Sequence, residues 1–159
     1  MVKRERILVI DDDEEIRRTL SKILGNEGYD VETASSGEQA IRMSKDQAFN
    51  LALIDIQLPD MHGTWLLDKL KKTEPEMIKI ILTGHPSMKN AVEAVNRGAH
   101  GYIVKPFNVK ELLEKIEEHL ERQRERCEYG EQKITEFIET RVKQIETERR
   151  QYSSGSVSY

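Results

Sequence analysis

Cysteine is nearly absent: Cys127 is the only one in the chain. That excludes an internal disulfide framework and suits a reducing compartment. Long apolar runs are missing too. None approaches the roughly 20 residues needed to span a bilayer. The charged start at Lys3, Arg4, Glu5 and Arg6 runs into a short strand and lacks the long apolar core of a secretion signal. The expectation is therefore a cytoplasmic protein with no membrane partner. No charge sign dominates either. Against 29 Asp and Glu there are 25 Lys and Arg, and the net charge of −4 gives no broad electrostatic case for nucleic acid. No second helical core of the helix-turn-helix kind is present, so direct nucleic-acid binding is not expected. The four histidines, His62, His85, His100 and His119, include no pair at metal-ligand spacing, which argues against zinc. A twelve-residue loop with a central Gly and a terminal Glu is also lacking, which argues against a calcium sensor.

What the chain does have is reactive residues at the downstream ends of four apolar runs. Ile7–Ile10 leads into Asp11, Asp12 and Asp13. Leu51–Ile54 leads into Asp55, Ile80–Leu82 into Thr83, and Tyr102–Val104 into Lys105 and Pro106. In an open α/β sheet the carboxyl ends of the strands share one rim, and ligands bind there. Two carboxylates about 5 Å apart at an effective dielectric near 20 repel by roughly 3 kcal/mol. Asp11, Asp12 and Asp55 would make three such pairs, so the rim calls for a hard cation. Mg²⁺ suits it best, with Mn²⁺ as a substitute, because Mg²⁺ takes one or two carboxylates, keeps several waters and accepts phosphate oxygens. A lysine, a hydroxyl and Mg²⁺ together stabilise a phosphoryl group in transit. A carboxylate can itself be the nucleophile. Asp55, apart from the paired acids and next to a flexible loop, is the candidate.

The pattern between these points alternates. Ile16, Leu20, Ile23 and Leu24 recur at helical spacing, and Gly25 and Gly28 close that helix. Tyr29–Ala34 reads as a short strand. Ser36 with Gln39 forms a capping box for a helix bearing Ala40, Ile41 and Met43. The segment from Gln57 to Gly63 contains Pro59 and is a bent loop, followed by a helix with Trp65, Leu66, Leu67 and Leu70. Met61 and Trp65 are expected to be packing residues rather than a cofactor box. Ser87 caps a helix closed at Gly98, and the last core helix carries Leu112, Leu113, Ile116 and Leu120. Five strands alternating with five helices predict an α/β fold, a doubly wound five-stranded parallel sheet covered on both faces.

These stretches resemble the receiver domain of two-component response regulators. The resemblance is carried by Ile7 to Asp13 (ILVIDDD), Leu51 to Gly63 (LALIDIQLPDMHG), Ile80 to Gly84 (IILTG) and Gly101 to Phe107 (GYIVKPF). It covers residues 4–121, and Thr83 to Phe107 looks most like receivers ahead of nitrogen-regulation-type activators. It implies a flavodoxin-like strand order, 2-1-3-4-5. It also implies that Asp55 accepts a phosphoryl group from the phosphohistidine of a sensor histidine kinase or phosphotransfer protein. Asp11, Asp12, Asp55 and the backbone carbonyl of Gln57 would hold Mg²⁺, and Lys105 would bridge to the phosphoryl oxygens. Thr83 would move toward the phosphate, and Tyr102 would follow from an outward to an inward rotamer. The Lys105–Pro106 bond would be cis. Gln57 and His85 are candidate modulators of dephosphorylation, and Asp13 is either a third rim acid or a helix cap. The protein would be a switch rather than an enzyme. An aspartyl-phosphate phosphatase, the alternative from the enzyme class, would want a second acid two residues after the nucleophile, where Gln57 stands.

Beyond Leu120 the composition changes. Acidic and basic residues balance from Glu121 to Arg150, and Ile134, Phe137, Ile138, Val142 and Ile145 lie at helical spacing. The expected division is a receiver over 1–121, a charged helical extension over 122–152 and a disordered tail over 153–159, with Gly130 bending or breaking the path. The extension is either a solvated linker or a dimerising coiled coil whose seam runs Ile116, Leu120, Gln123, Cys127, Gly130, Ile134, Phe137, Arg141. A homodimer, formed on phosphorylation or through this helix, is the expected self-association. The other reading is the N-terminal part of a larger regulator with its output domain missing.

Overall fold

The computed structural model describes residues 3–155. Five strands, β1 (Arg6–Ile10), β2 (Asp30–Ala34), β3 (Leu51–Ile54), β4 (Ile78–Thr83) and β5 (Gly101–Val104), form one sheet in the order β2-β1-β3-β4-β5. Every pairing is parallel, and the register matches Ile7 with Leu51, Ile54 with Ile81 and Ile81 with Tyr102. The expected doubly wound sheet and its order are both present.

Period-two alternation along the strands sorts the core into two layers. Leu8, Ile10, Ala52, Ile54 and Ile81 face α2 (Gly37–Asp46), α3 (Gly63–Lys69) and α4 (Met88–Asn96), where Ala40, Leu66, Leu67 and Ala94 meet them. Ile7, Val9, Leu51, Leu53, Ile80, Leu82 and Ile103 face α1 (Glu14–Asn26) and α5 (Val109–Ser154), where Leu20, Leu24, Leu112, Ile116 and Leu120 meet them. Burial on both faces explains why the central strands are unbroken apolar runs.

The caps follow local chemistry. The Asp13 carboxylate accepts from the N–H groups of Glu15 and Ile16, so this third acid is the N-cap of α1. Ser36 accepts from Gln39 N–H, while the Gln39 side chain reaches back to Ser35 instead of Ser36. Ser87 accepts from Asn90 N–H and starts α4. Gly28 and Gly98 take positive φ after α1 and α4, a backbone state that a side chain disfavours.

Several expectations fail, each for a visible reason. Gly130 does not break the helix: α5 runs 46 residues through it. One glycine costs about 1 kcal/mol in a helix interior, which a long helix absorbs. Ser153 and Ser154 belong to α5 rather than to a disordered tail, and their hydroxyls bond back to carbonyls one turn earlier. Residues 156–159 lie outside the described ones. Trp65 is 49 % exposed and not interior, because Leu66 and Leu67 take the inner face of α3. Met61 does pack on the core.

The proposed coiled-coil seam changes most. Ile116, Leu120 and Gln123 are buried within the first compact unit, which ends at Gln123. The Gln123 amide donates to the carbonyls of Asn50 and Glu76, at 3.0 and 2.8 Å, and accepts from the Asn50 side chain. These positions serve the body's own core and are unavailable to a partner helix. The second unit, from Arg124, is helical.

Tyr102 packs against the layer of α2, α3 and α4, and its hydroxyl is buried without a hydrogen-bond partner. A buried unmatched hydroxyl costs about 1–3 kcal/mol. Tyr102→Phe is therefore expected to raise the melting temperature by several degrees, read by calorimetry of the metal-free protein. A drop in melting temperature would contradict the unsatisfied hydroxyl.

Candidate functional site

The rim forms because four strands end together and the chain turns sharply after each. Asp11 N–H donates to Ala34 O, and Asp55 N–H donates to Ile10 O, which carries the sheet pairing one residue past β1 and β3. Lys105 N–H donates to Thr83 O in the same way at β4 and β5. These bonds hold the Asp11, Asp55 and Lys105 backbones in register. The side chains meet in a cleft of about 280 Å³ that Asp12, Gln57 and His85 also line.

One oxygen from each of Asp11, Asp12 and Asp55 lies within 4.8 Å of the others. Asp11 is buried, and its carboxylate is held at both oxygens: Oδ2 receives Lys105 Nζ at 2.7 Å and Oδ1 receives Asp13 N–H at 2.9 Å. Asp55 is 8 % exposed, and its Oδ2 lies 3.9 Å from Lys105 Nζ. Asp12 is exposed to solvent. Lys105 thus partners Asp11 closely and Asp55 loosely, and Asp55 lines the cleft. Burial first, then the Asp11 charge, push the Asp55 carboxyl up to about 6, with Lys105 and the Gln57 N–H acting in the opposite direction. One ammonium cannot neutralise three carboxylates at this spacing. The all-oxygen donor set, one member solvent-facing, fits a hard divalent cation that keeps part of its water shell.

Two further residues shape the rim. Thr83 is fully buried, and its Oγ1 accepts the His85 N–H at 3.0 Å, so its own O–H remains available as a donor. Gly63 is needed for close packing: a Cβ there would stand 2.1 Å from the Asp55 carbonyl oxygen. Its N–H donates to Ile56 O, closing the loop after β3.

Of the residues expected at the site, the cleft unites Asp11, Asp12, Asp55, Gln57, His85 and Lys105. Thr83 is not among its lining residues but bonds to the His85 backbone, and Pro106 follows Lys105 through a cis peptide bond. Tyr102 stands apart from the cleft with its hydroxyl already turned inward, so the outward starting rotamer is not seen. Sequence reasoning missed Arg17 and Asp60. Arg17 Nη1 donates to the Asp11 carbonyl at 2.7 Å from one turn into α1, and the i+6 spacing offered no signal. Asp60 accepts from Gly37 and Glu38 N–H across 22–23 residues of chain, a contact that no local pattern encodes. The Glu74–Pro75 bond is also cis.

None of the described helices is long and apolar enough to cross a membrane. Comparison with known proteins agrees with the geometry. Residues 7–117 match the response regulator receiver domain family. A putative response regulator, NtrX-like, from Rickettsia bellii is 36 % identical over 109 residues, covering 67 % of this chain and 23 % of its own length. The crystal structure of a CheY-like response regulator receiver domain protein from Methanospirillum hungatei JF-1 is 46 % identical, with a TM-score of 0.75 over 78 % of this chain and 99 % of that one. A response regulator from Burkholderia pseudomallei, solved with a phosphorylated aspartic acid, calcium ion and citrate, is 34 % identical, with a TM-score of 0.65 over 69 % of this chain and 64 % of that one. The chain spans half or less of the length of the curated relatives it matches. With the rim geometry and a family match over most of its compact unit, the chain belongs to the response regulator receiver domain family.

Proposed function

We propose that Asp55 is the phosphoacceptor of a Mg²⁺-dependent switch. The observation that carries this reading is the convergence of Asp11, Asp12 and Asp55 around a single lysine that pairs closely with Asp11 and only loosely with the buried Asp55. Asp11, Asp12, Asp55 and the Gln57 backbone carbonyl would hold Mg²⁺ or Mn²⁺. The bound ion would supply charge neutralisation to the phosphoryl oxygens and lower the repulsion among the acids. An oxygen of the ionised Asp55 carboxylate attacks phosphorus, the phosphorus–nitrogen bond of a kinase or phosphotransfer-protein phosphohistidine breaks, and the imidazole leaves. Lys105, already 3.9 Å from Asp55, moves from Asp11 toward the new phosphoryl oxygens. Thr83 donates its free O–H to the same group. The displacement of Thr83 and of the segment after β4 then alters the packing around Tyr102, whose unmatched hydroxyl leaves that layer poised to rearrange. Whole regulators that carry further domains would read out this change.

Asp55→Asn should keep the fold and abolish uptake of a phosphoryl group from acetyl phosphate with Mg²⁺, read by intact mass. Uptake at the parent's rate would reject Asp55 as acceptor. The same variant tests the electrostatics. An acid whose folded pKa is raised to about 6 from 3.8 binds more protons folded than unfolded in that window, so metal-free stability should fall as pH rises from about 4 to 6. At pH 7 without Mg²⁺, Asp55→Asn should exceed the parent by about 2–3 kcal/mol, an advantage that shrinks below pH 4 and on adding Mg²⁺. Equal stabilities in denaturant titrations at both pH values would count against it.

Gln57 and His85 line the cleft from the loops after β3 and β4 and would orient or screen the water that hydrolyses the acyl phosphate. Substitution of each by Ala should change the phosphoryl lifetime by several fold. An unchanged decay rate for both would remove this role.

A second observation favours self-association. In the helical unit Ile134, Phe137, Ile138, Val142 and Ile145 are all exposed. Ile134, Ile138, Ile145 and Tyr152 repeat at 4- and 7-residue steps, with Phe137 and Val142 on the flanks, a better seam than one that includes Gly130. We infer that a second copy covers it. Sedimentation of the full chain should show a dimer that Ile138→Asp converts to a monomer; a monomeric parent at high concentration would exclude it.

A further inference from the structure

The loop that carries Gln57 is fastened at its tip to a helix it does not adjoin in sequence. Asp60 Oδ1 accepts Gly37 N–H at 2.9 Å, and Oδ2 accepts Glu38 N–H at 2.8 Å. These are the first two N–H groups of α2. The third, of Gln39, goes to Ser36. The carboxylate therefore closes the open end of a helix whose own cap leaves those two donors unmatched, with the helix dipole adding to the attraction.

The adjacent residue repeats the attachment with apolar atoms. Met61 lies over Gly37 so closely that a Cβ there would meet Met61 Sδ, Cγ and Cε at 2.5, 2.6 and 2.9 Å. At its near end the loop is closed by Gly63 N–H to Ile56 O and by an isolated bridge between Gln57 and His62. The whole segment from Asp55 to Gly63 is held at its two ends and its tip.

We propose that Asp60 is a positioning residue for the divalent cation: its two-pronged attachment to the start of α2 holds the loop so that the Gln57 carbonyl faces the rim acids. The inference rests on the reading of the cleft as a Mg²⁺ site. Asp60 is solvent-exposed and lines no part of the cleft, so it acts only through the loop. Its carboxyl is held below the usual range, chiefly by the Glu38 N–H, and stays ionised through neutral pH.

A generic loss of α2 would also disturb the neighbourhood, and Ser36→Ala separates the two effects. It removes the other cap of the same helix but leaves the loop's attachment untouched. Mg²⁺ affinity by calorimetry, amide hydrogen exchange over residues 57–63 and melting temperature would be measured for the parent, Asp60→Ala, Asp60→Asn and Ser36→Ala. Asp60→Ala should weaken Mg²⁺ about tenfold, the low end for groups that orient metal ligands, and speed exchange in the loop. Asp60→Asn, which keeps one acceptor, should fall between it and the parent. Ser36→Ala should lower the melting temperature comparably while changing Mg²⁺ affinity less than about twofold. Parent-like Mg²⁺ affinity in Asp60→Ala, or an equal loss in Ser36→Ala, would overturn the positioning role and leave the metal site standing. A parent that does not bind Mg²⁺ would overturn both.

Discussion

Three carboxylates brought to one sheet edge with a single lysine impose the constraint on which the rest of this protein depends. Asp11 is satisfied by Lys105 and by the Asp13 N–H. Asp12 is exposed to solvent. Asp55 is buried, near the like charges of Asp11 and Asp12 and 3.9 Å from the shared ammonium, and burial with the Asp11 charge pushes its carboxyl up to about 6. The arrangement is electrostatically unfinished, and either a cation or a proton completes it. A structure built only for stability would not collect these charges, because buried acids without full partners destabilise a fold. Their presence is the physical mark of a site that handles a charged group.

Rigidity around that rim comes from several sources acting together. Backbone pairing extends one residue beyond β1, β3 and β5 and holds Asp11, Asp55 and Lys105 in register. Arg17 reaches back to the Asp11 carbonyl. Gly63 lets the loop after β3 lie directly on the Asp55 carbonyl, and Asp60 with Met61 fastens the loop tip to α2. Against this frame two features remain adjustable. The Thr83 hydroxyl keeps a free proton, and the Tyr102 hydroxyl is buried without a partner. A switch needs a rigid place to receive its signal and a poorly satisfied element to respond, and the two are adjacent here along β4 and β5.

The helix beyond the sheet has a different physical character on either side of Gln123. Before it, α5 residues bury apolar side chains in the core, and Gln123 itself spends its whole amide on Asn50 and Glu76. After it, the apolar residues are exposed, Phe137 at 72 %. Isolated helices gain little from propensity alone, so a long amphipathic stretch of this kind draws its stability from whatever covers its apolar face.

Much of this was legible in the linear sequence. Continuous apolar runs ending in Asp, Thr and Lys placed the strands and the rim, because burial on both faces demands such runs and strand ends share an edge. Capping at Ser36, Ser87 and Asp13 was legible because a cap is a contact within four residues. What the tertiary structure alone decided lies in contacts between distant residues. Asp60 capping α2 across 22–23 residues, and Gln123 bonding to Asn50 across 73, have no local signature. Nor does the choice of Lys105 to bind Asp11 at 2.7 Å and Asp55 at 3.9 Å, which is made where the ends of β1, β3 and β5 meet. Residue type and spacing determined which charges would meet; three-dimensional packing decided which of them would be left unsatisfied, because satisfaction depends on distance and not on order along the chain.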